Sequence, residues 1–384
     1  MNKLLSLPKE IYLIADLLRT PRRKVLDNKT HIKEAVKWIC SAQDATEDGG
    51  VSHSYHICRG WAPSYPETTG YIIPTLLTWS FLSNDLEIAK RAIEMADWEI
   101  DVQLEDGSVQ GSVVGLQKKK PVVFNTGQVI FGWLSAYDYT HNTKYIEAAI
   151  KAADWLIHNL DEDHTWSTFG NHGTNNIHTY NARCAWAILA LSVKIQKDNY
   201  EIPMRLFLDW VLSREVSRGW FKNNCLNDNE HPLLHTIAYT ARGLLESGMI
   251  LDQEKYIEAS VRTSDELLEH ILEDGNMPGR FDCNWRPSVK WSCLTGMAQM
   301  SIIWNKLYKK TGNTKYQEAF KKVNNFLKKT QDITSSNPGI RGGIKGSYAI
   351  NGQYCSYRIL NWATKFFIDA LLLEEYPKQE IGIL

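Results

Sequence analysis

The string Asn142-Thr143-Lys144-Tyr145-Ile146-Glu147-Ala148 returns as Asn313-Thr314-Lys315-Tyr316-Gln317-Glu318-Ala319, 171 residues further on. A shorter form, Lys255-Tyr256-Ile257-Glu258-Ala259, stands between them. The separations fit multiples of one period of roughly 57 residues, and internal periodicity of that size fixes architecture before any motif does. A second landmark keeps the same beat. Trp38, Trp98, Trp155, Trp210, Leu268 and Phe326 are each followed by a polar turn, among them Asp48-Gly49-Gly50, Glu105-Asp106-Gly107 and Glu273-Asp274-Gly275. Six units cover nearly the whole chain.

Each unit reads as two helices of different character. From Lys144 to Leu160 the apolar residues Tyr145, Ile146, Ala149, Ala152, Ala153, Leu156 and Ile157 recur at helical spacing, leaving Lys and Glu on the other face. The Asp-Gly or Gly-Gly pair is expected to stop this helix, because glycine takes the left-handed conformation of a C-cap. A second helix follows: Thr126 to Tyr139, Tyr180 to Ile195, Thr236 to Gly248, Cys293 to Tyr308 and Cys355 to Leu373. These segments are poor in acidic residues and rich in Gly, Ala, Ser, Trp and Cys, so they read as buried all round. Two helices in each of six units predict an all-α (α/α)6 toroid with inner helices enclosed by outer ones. An open superhelix is the alternative, which the apolar inner helices disfavour.

The 384 residues would suffice for two domains, but the unbroken period predicts one, residues 1–384, with 1–24 as an N-terminal extension helix. No apolar run reaches about 18 residues, and Lys9 and Glu10 follow too soon for a signal peptide. Seven unpaired cysteines, mostly in apolar helices, predict reduced core thiols and a cytoplasmic protein. A net charge of −1 gives no electrostatic case for nucleic acid, and no membrane partner is expected. Oligomeric state is left open by the sequence.

In a closed ring the loops entering the inner helices line one mouth of a central cavity, the expected place for a ligand. Those entries carry Arg59, Trp61, Tyr65 and Glu67; Asn125 and Gln128; His178, Tyr180 and Arg183; His235, Tyr239 and Arg242; Trp285 and Trp291; and Tyr354 and Arg358. Aromatic planes stack on sugar rings, and Asn, Gln and Arg bind hydroxyls and carboxylates. Basic residues outnumber acidic ones there, which favours an acidic glycan as partner. Pairing of these Arg residues with carboxylates of the protein itself is the structural alternative.

Two segments resemble a known group. Ser64-Tyr65-Pro66-Glu67-Thr68-Thr69-Gly70-Tyr71, and Gln103-Leu104-Glu105-Asp106-Gly107-Ser108 after Ala96-Asp97-Trp98, are similar to repeats of six-hairpin glycosidases, with unsaturated glucuronyl and rhamnogalacturonyl hydrolases nearest and toroidal polysaccharide lyases next. The resemblance implies an acidic residue as general acid/base at an inner-helix entry. Glu67 is the matching position in the first unit, and Asn125 stands at the matching position in the second.

Glycoside hydrolysis ordinarily takes two carboxylates. Glu67 is the candidate acid, walled by Trp61 and Tyr65; its partner would come from Asp106, Asp48 or Asp282, although Asp before Gly is also ordinary turn chemistry. A lyase or an epimerase would instead use a Tyr or His base, from His178, Tyr180, His235 and Tyr239, with Asn125, Arg183 or Arg242 neutralising a carboxylate. A non-catalytic helical-repeat binding protein is the reading from another class. A zinc prenyltransferase-like site is weighed on His53, His56 and Cys58 and on Asp282, Cys283 and Cys293, without the expected histidine in the last unit. Walker, Rossmann and Gly-x-Ser-x-Gly patterns are absent, and no cofactor is expected.

Overall fold

The computed structural model describes residues 9–115, 118–170 and 177–379. The start of the expected N-terminal extension, before Lys9, lies outside the described residues.

Among the described residues, twelve helices form two concentric rings. The inner ones are α3 (Pro66–Ser83), α5 (Val123–Thr140), α7 (Ala182–Ile195), α9 (Leu234–Leu251), α11 (Leu294–Thr311) and α13 (Asn361–Glu375). The outer ones are α2 (Asn28–Asp44), α4 (Leu86–Val102), α6 (Thr143–His158), α8 (Glu201–Ser213), α10 (Glu254–Leu268) and α12 (Thr314–Thr330). Burial separates the two sets as the composition predicts. Helix α3 is buried at nearly every position from Pro66 to Ser80, whereas α12 buries mainly the stripe Tyr316, Ala319, Phe320, Val323, Phe326 and Leu327. Each buried Phe or Leu of such a stripe contributes about 1.5–3 kcal/mol.

The repeated strings are the joints between outer helices. Tyr145 donates its hydroxyl hydrogen to Asp97 at 2.6 Å, Tyr256 to Asp209 at 2.7 Å and Tyr316 to Asp265 at 2.7 Å. The lysine before each tyrosine pairs with the same carboxylate, at 2.6, 2.5 and 2.9 Å. Tyr200 reaches Asp154 in the same way at 2.5 Å, although its surrounding sequence has diverged from the repeat.

The polar turns make the second joint. The Gln103 amide donates to the carbonyl of Gly107 in its own turn and to that of Ala148 in the next outer helix. Gln43 bridges Gly49 and Arg91 likewise, and Gln331 bridges Gly342 and His31. Gly107 has φ +92°, and a Cβ there would stand 2.5 Å from the Lys151 carbonyl oxygen. Gly342, at φ +88°, is pressed against the Glu34 carbonyl of α2, where a Cβ would come within 2.1 Å.

The last contact closes the ring, because it repeats between units six and one what Gly107 does between units two and three. Helix α13 packs against both α3 and α2, and neighbouring inner helices pack on one another all the way round. The loops agree: β1 (Ser54–His56), β2 (Gly60–Trp61), β6 (Ile344–Lys345) and β8 (Arg358–Leu360) form one sheet in the order β2-β1-β8-β6, joining the first unit to the last. The described residues share one hydrophobic core.

Two local expectations are corrected. The turn glycines do not cap the outer helices; α4 ends at Val102, before Gly107. The left-handed caps instead end inner helices, at Asn84, His141, Gln196, Asp252 and Gly312, so inner and outer helices connect through tight turns. The last inner helix begins at Asn361 rather than Cys355, because residues 358–360 are drawn into β8 by pairing with β1 and β6.

Helix α1 (Lys9–Arg19) lies outside the ring and is held chiefly through a polar residue. Asp16 pairs with Lys345 and accepts from the Ile350 amide at 2.9 Å. A cavity of about 320 Å³ lies beneath this helix, lined by Tyr12, Asp16, Arg19, Arg23, Asp332 and Lys345 among others. Most of its charges are already paired, Asp16 with Lys345 and Arg23 with Asp332, and none of the groups assembled at the ring mouth reaches it.

Candidate active site

Residues from five inner-helix entries meet at the mouth of the ring. Tyr65 is the N-cap residue of α3 and Glu67 lies in that helix's first turn. The Tyr65 hydroxyl donates to Glu67 Oε2 at 2.5 Å, and the Asn125 amide of the next unit lies against the same phenol. Aromatic contacts then run round the mouth. His53 sits 5.1 Å from Tyr65 and 4.7 Å from Trp362; Trp362 donates its indole hydrogen to the Tyr354 hydroxyl. Tyr354 lies 5.5 Å from His235, which lies 4.3 Å from Tyr239. Phe124 joins Tyr239 at 4.9 Å to Tyr180 at 5.3 Å, and His178 stacks on Tyr180 at 4.6 Å.

Electrostatics single out Glu67. A carboxylate in a helix's first turn is ordinarily stabilised by the dipole. Here burial dominates and pushes the carboxyl up to about 7, with the Tyr65 hydrogen bond and the nearby Arg183 cation opposing it. Burial likewise holds His235, His178 and His53 down at about 4, so all three imidazoles are neutral near pH 7. Burial raises the Tyr239 hydroxyl far above its ordinary range, with the Glu67 charge adding to it.

Below this layer lies Arg183. Its Nε donates to Gln128 Oε1 at 2.5 Å, and its guanidinium lies 5.0–5.8 Å from the rings of Tyr71, Phe131, Trp186, Tyr239 and Phe366. Such a box stabilises the buried cation through the ring quadrupoles. Deeper still, Lys365 pairs with Asp369, which also accepts from Thr75 at 2.7 Å.

Glu67 stands alone among the described residues as a buried acid at the mouth. Among the described residues, the other buried carboxyls are used elsewhere: Asp16 with Lys345, Glu34 with Arg341, Glu246 with Arg242 and Lys306, and Asp369 with Lys365. Glu99 of α4 is buried between helices beside Gly70, and burial raises its pKa well above the carboxylate range.

Several expected site residues make contacts away from Glu67. Asp106 accepts from the Ser108 amide and hydroxyl, at 3.0 and 2.6 Å, and from the Trp155 indole at 3.1 Å, on the outer side of the ring. Asp48 and Asp282 cap their own turns in the same manner. Short polar turns need those acceptors, and each of the three carboxylates is engaged in its own turn. Trp61 packs on Trp38 and Tyr55, and exposed Arg59 sits at the β1–β2 turn. Trp285 donates to the Arg218 carbonyl at 3.1 Å and packs on Phe281. Arg242 faces inward, yet its charge is met by Glu246 one turn on. Arg358 donates to the Ser54 hydroxyl at 2.9 Å, and half-buried Trp291 packs on Gly279. Tyr71 and Gln299 join the site without having been singled out in the sequence. Tyr71 is one turn after Glu67 on the same face, a signal that spacing offers; Gln299 carries no motif at all.

No group of three or more His, Cys, Asp or Glu among the described residues is arranged to hold a metal ion. His53 Nδ1 faces Ser54, and His56 Nδ1 accepts from the Cys58 amide, so each ring uses one nitrogen locally. No helix of the described residues is long and apolar enough to cross a membrane.

No family model matches the sequence, and no curated protein matches it. Solved structures do. The unsaturated glucuronyl hydrolase from Bacillus sp. GL1, responsible for the degradation of glycosaminoglycan, superposes with a TM-score of 0.72 at 13% identity, covering 91% of this chain and 97% of that one. An unsaturated glucuronyl hydrolase specific for heparin gives 0.71 at 16% identity, covering 92% and 99%. The cellobiose 2-epimerase of Bacillus thermoamylovorans gives 0.71 at 11%, covering 95% and 99%. At these identities the likeness establishes the (α/α)6 fold.

Proposed function

We propose that this protein is a carbohydrate-active hydrolase that removes an unsaturated uronyl residue from an acidic oligosaccharide, with Glu67 as its proton-transfer group. The observation that carries this reading is the solitary carboxylic acid at the mouth. Cleavage of an ordinary glycosidic bond takes two carboxylates, one on each side, and Asp48, Asp106 and Asp282 are bound up in turns. One acid suffices when the sugar carries a C=C bond conjugated with its ring oxygen. Glu67 then protonates carbon, the resulting oxocarbenium ion takes up water, and the Glu67 carboxylate removes the proton that water loses. The hemiketal so formed opens its ring, and the hemiacetal left at the anomeric carbon expels the aglycone as its free hydroxyl. A carboxyl held near neutrality is suited to both halves. Arg183, a buried cation beside Glu67, supports an anionic sugar, and the aromatic circle from Tyr65 to Tyr180 supports a ring-shaped one.

Epimerisation or β-elimination is the second reading, favoured by the neutral His235 imidazole against Tyr239. One experiment separates them. A panel of saturated and unsaturated uronyl oligosaccharides is followed for reducing ends and for absorbance of the unsaturated uronate. Hydrolysis as proposed consumes the absorbance and releases a reducing end. Rising absorbance would mean a lyase, and conversion without either signal an epimerase; both would overturn the hydrolase.

A further inference from the structure

Across the mouth from the Tyr65–Glu67 pair, the fourth and fifth units meet at a histidine and a glutamine. His235 lies in the first turn of α9, and its Nδ1 stands 2.7 Å from Gln299 Oε1 on α11. An amide oxygen only accepts hydrogen bonds, so Nδ1 carries the ring hydrogen and Nε2 carries a lone pair. Gln299 is 3% exposed and His235 6%, so the contact is shielded from competing water. Nε2 has no hydrogen-bond partner among the described residues, while the ring is wedged between Tyr239 and Tyr354. Both of those rings belong to the circle that contains Tyr65 and Trp362.

We propose that Gln299 is a positioning residue: it holds His235 in the Nδ1–H tautomer so that Nε2 accepts a hydrogen bond from a hydroxyl of the bound sugar. This rests on the sugar-processing reading and adds the orientation of the substrate to it. The choice of an amide has a physical reason. A carboxylate at that position would stabilise the imidazolium, and Nε2 would then donate instead of accept. The charged and titratable groups facing His235 act in the same direction. Arg183 from α7 disfavours a second cation, and Tyr239 on its own helix and Tyr354 from the loop before α13 present neutral phenols. A sugar hydroxyl directed at Nε2 therefore meets an acceptor throughout the neutral range.

The test combines ring-nitrogen NMR with kinetics. In the wild-type protein, His235 should show a protonated Nδ1 and an unprotonated Nε2 from about pH 5.5 to 8. An Nε2–H tautomer would overturn the proposal. Adding an unsaturated uronyl disaccharide to the Glu67→Gln variant should shift the Nε2 resonance, and no shift at saturating sugar would overturn it too. Gln299→Glu should raise the imidazole pKa and add an acidic limb to the kcat/KM profile. Activity should fall about tenfold or more below that limb and recover above it, because the carboxylate still holds Nδ1–H. Gln299→Leu should lose activity at every pH, without the limb. If Gln299→Glu creates the imidazolium by NMR yet leaves the pH profile unchanged, His235 does not touch substrate and the inference fails. If the tautomer and the Nε2 shift are found but Glu67→Gln retains full turnover, the proton-transfer role of Glu67 fails and the Gln299 inference stands.

Discussion

Replacing Glu67 by Gln should make the protein more stable and less active at the same pH. Glu67 is 8% exposed, and burial lifts its carboxyl from an ordinary 4.5 to about 7. An acid whose folded-state pKa is raised keeps its proton in the native protein after the unfolded chain has released it. Stability is therefore lost as pH rises, starting near the unfolded value and levelling off above about pH 7. At 1.36 kcal/mol per unit, the cost at pH 8 is about 3 kcal/mol. Gln is close in shape, retains an oxygen that accepts from Tyr65, and carries no charge to desolvate. Urea unfolding of both proteins at about pH 4 and about pH 8 gives the comparison. The two should match in acid, and the Gln variant should lead by about 3 kcal/mol at pH 8. Turnover should drop by roughly 10²- to 10⁴-fold, with binding little changed. A stability difference independent of pH would show that Glu67 ionises freely, and the argument for a buried acid at the mouth would be refuted.

Other perturbations discriminate between site and scaffold. Arg183→Met should weaken binding of a carboxylated sugar by about 10- to 100-fold and leave its neutral counterpart unaffected; equal losses in calorimetric titrations would remove the anionic-substrate inference. Arg242→Met should lower stability by about 3 kcal/mol instead, since it strands the buried Glu246 carboxylate with Lys306 alone; a stability equal to wild type would contradict that pairing. Asp106→Asn should keep turnover within about twofold of wild type, and a loss comparable to that of Glu67→Gln would return Asp106 to the mechanism. Gly342→Ala should cost about 2 kcal/mol or more, because its φ of +88° and the Glu34 carbonyl leave no room for a Cβ. Hydrogen exchange in α2 should quicken in that variant, and unchanged protection would argue against this turn as the closing contact.

The sequence by itself determined the ring. Its Lys-Tyr strings at Tyr145, Tyr256 and Tyr316 each make the same joint to the preceding outer helix, so their spacing carried the architecture. The inner helices were legible because a helix buried on all sides must lack charge on all sides. Glu67 was legible for a related reason, being a carboxyl where the other entries have none. What the sequence left open was the direction and partnership of each polar side chain. Asp106 and Glu67 are both acids beside loops, yet one faces an outer-helix tryptophan and the other a buried phenol. Arg183 and Arg242 stand on successive inner helices; Gln128 and a box of rings receive the first, and Glu246 meets the charge of the second. Gln299 became a site residue only because packing of neighbouring inner helices brings α11 beside the start of α9. The Arg242–Glu246 pair lies within one helix turn, but desolvation, and contacts such as Arg183–Gln128 and His235–Gln299, depend on packing between neighbouring units, which no reading of local spacing contains.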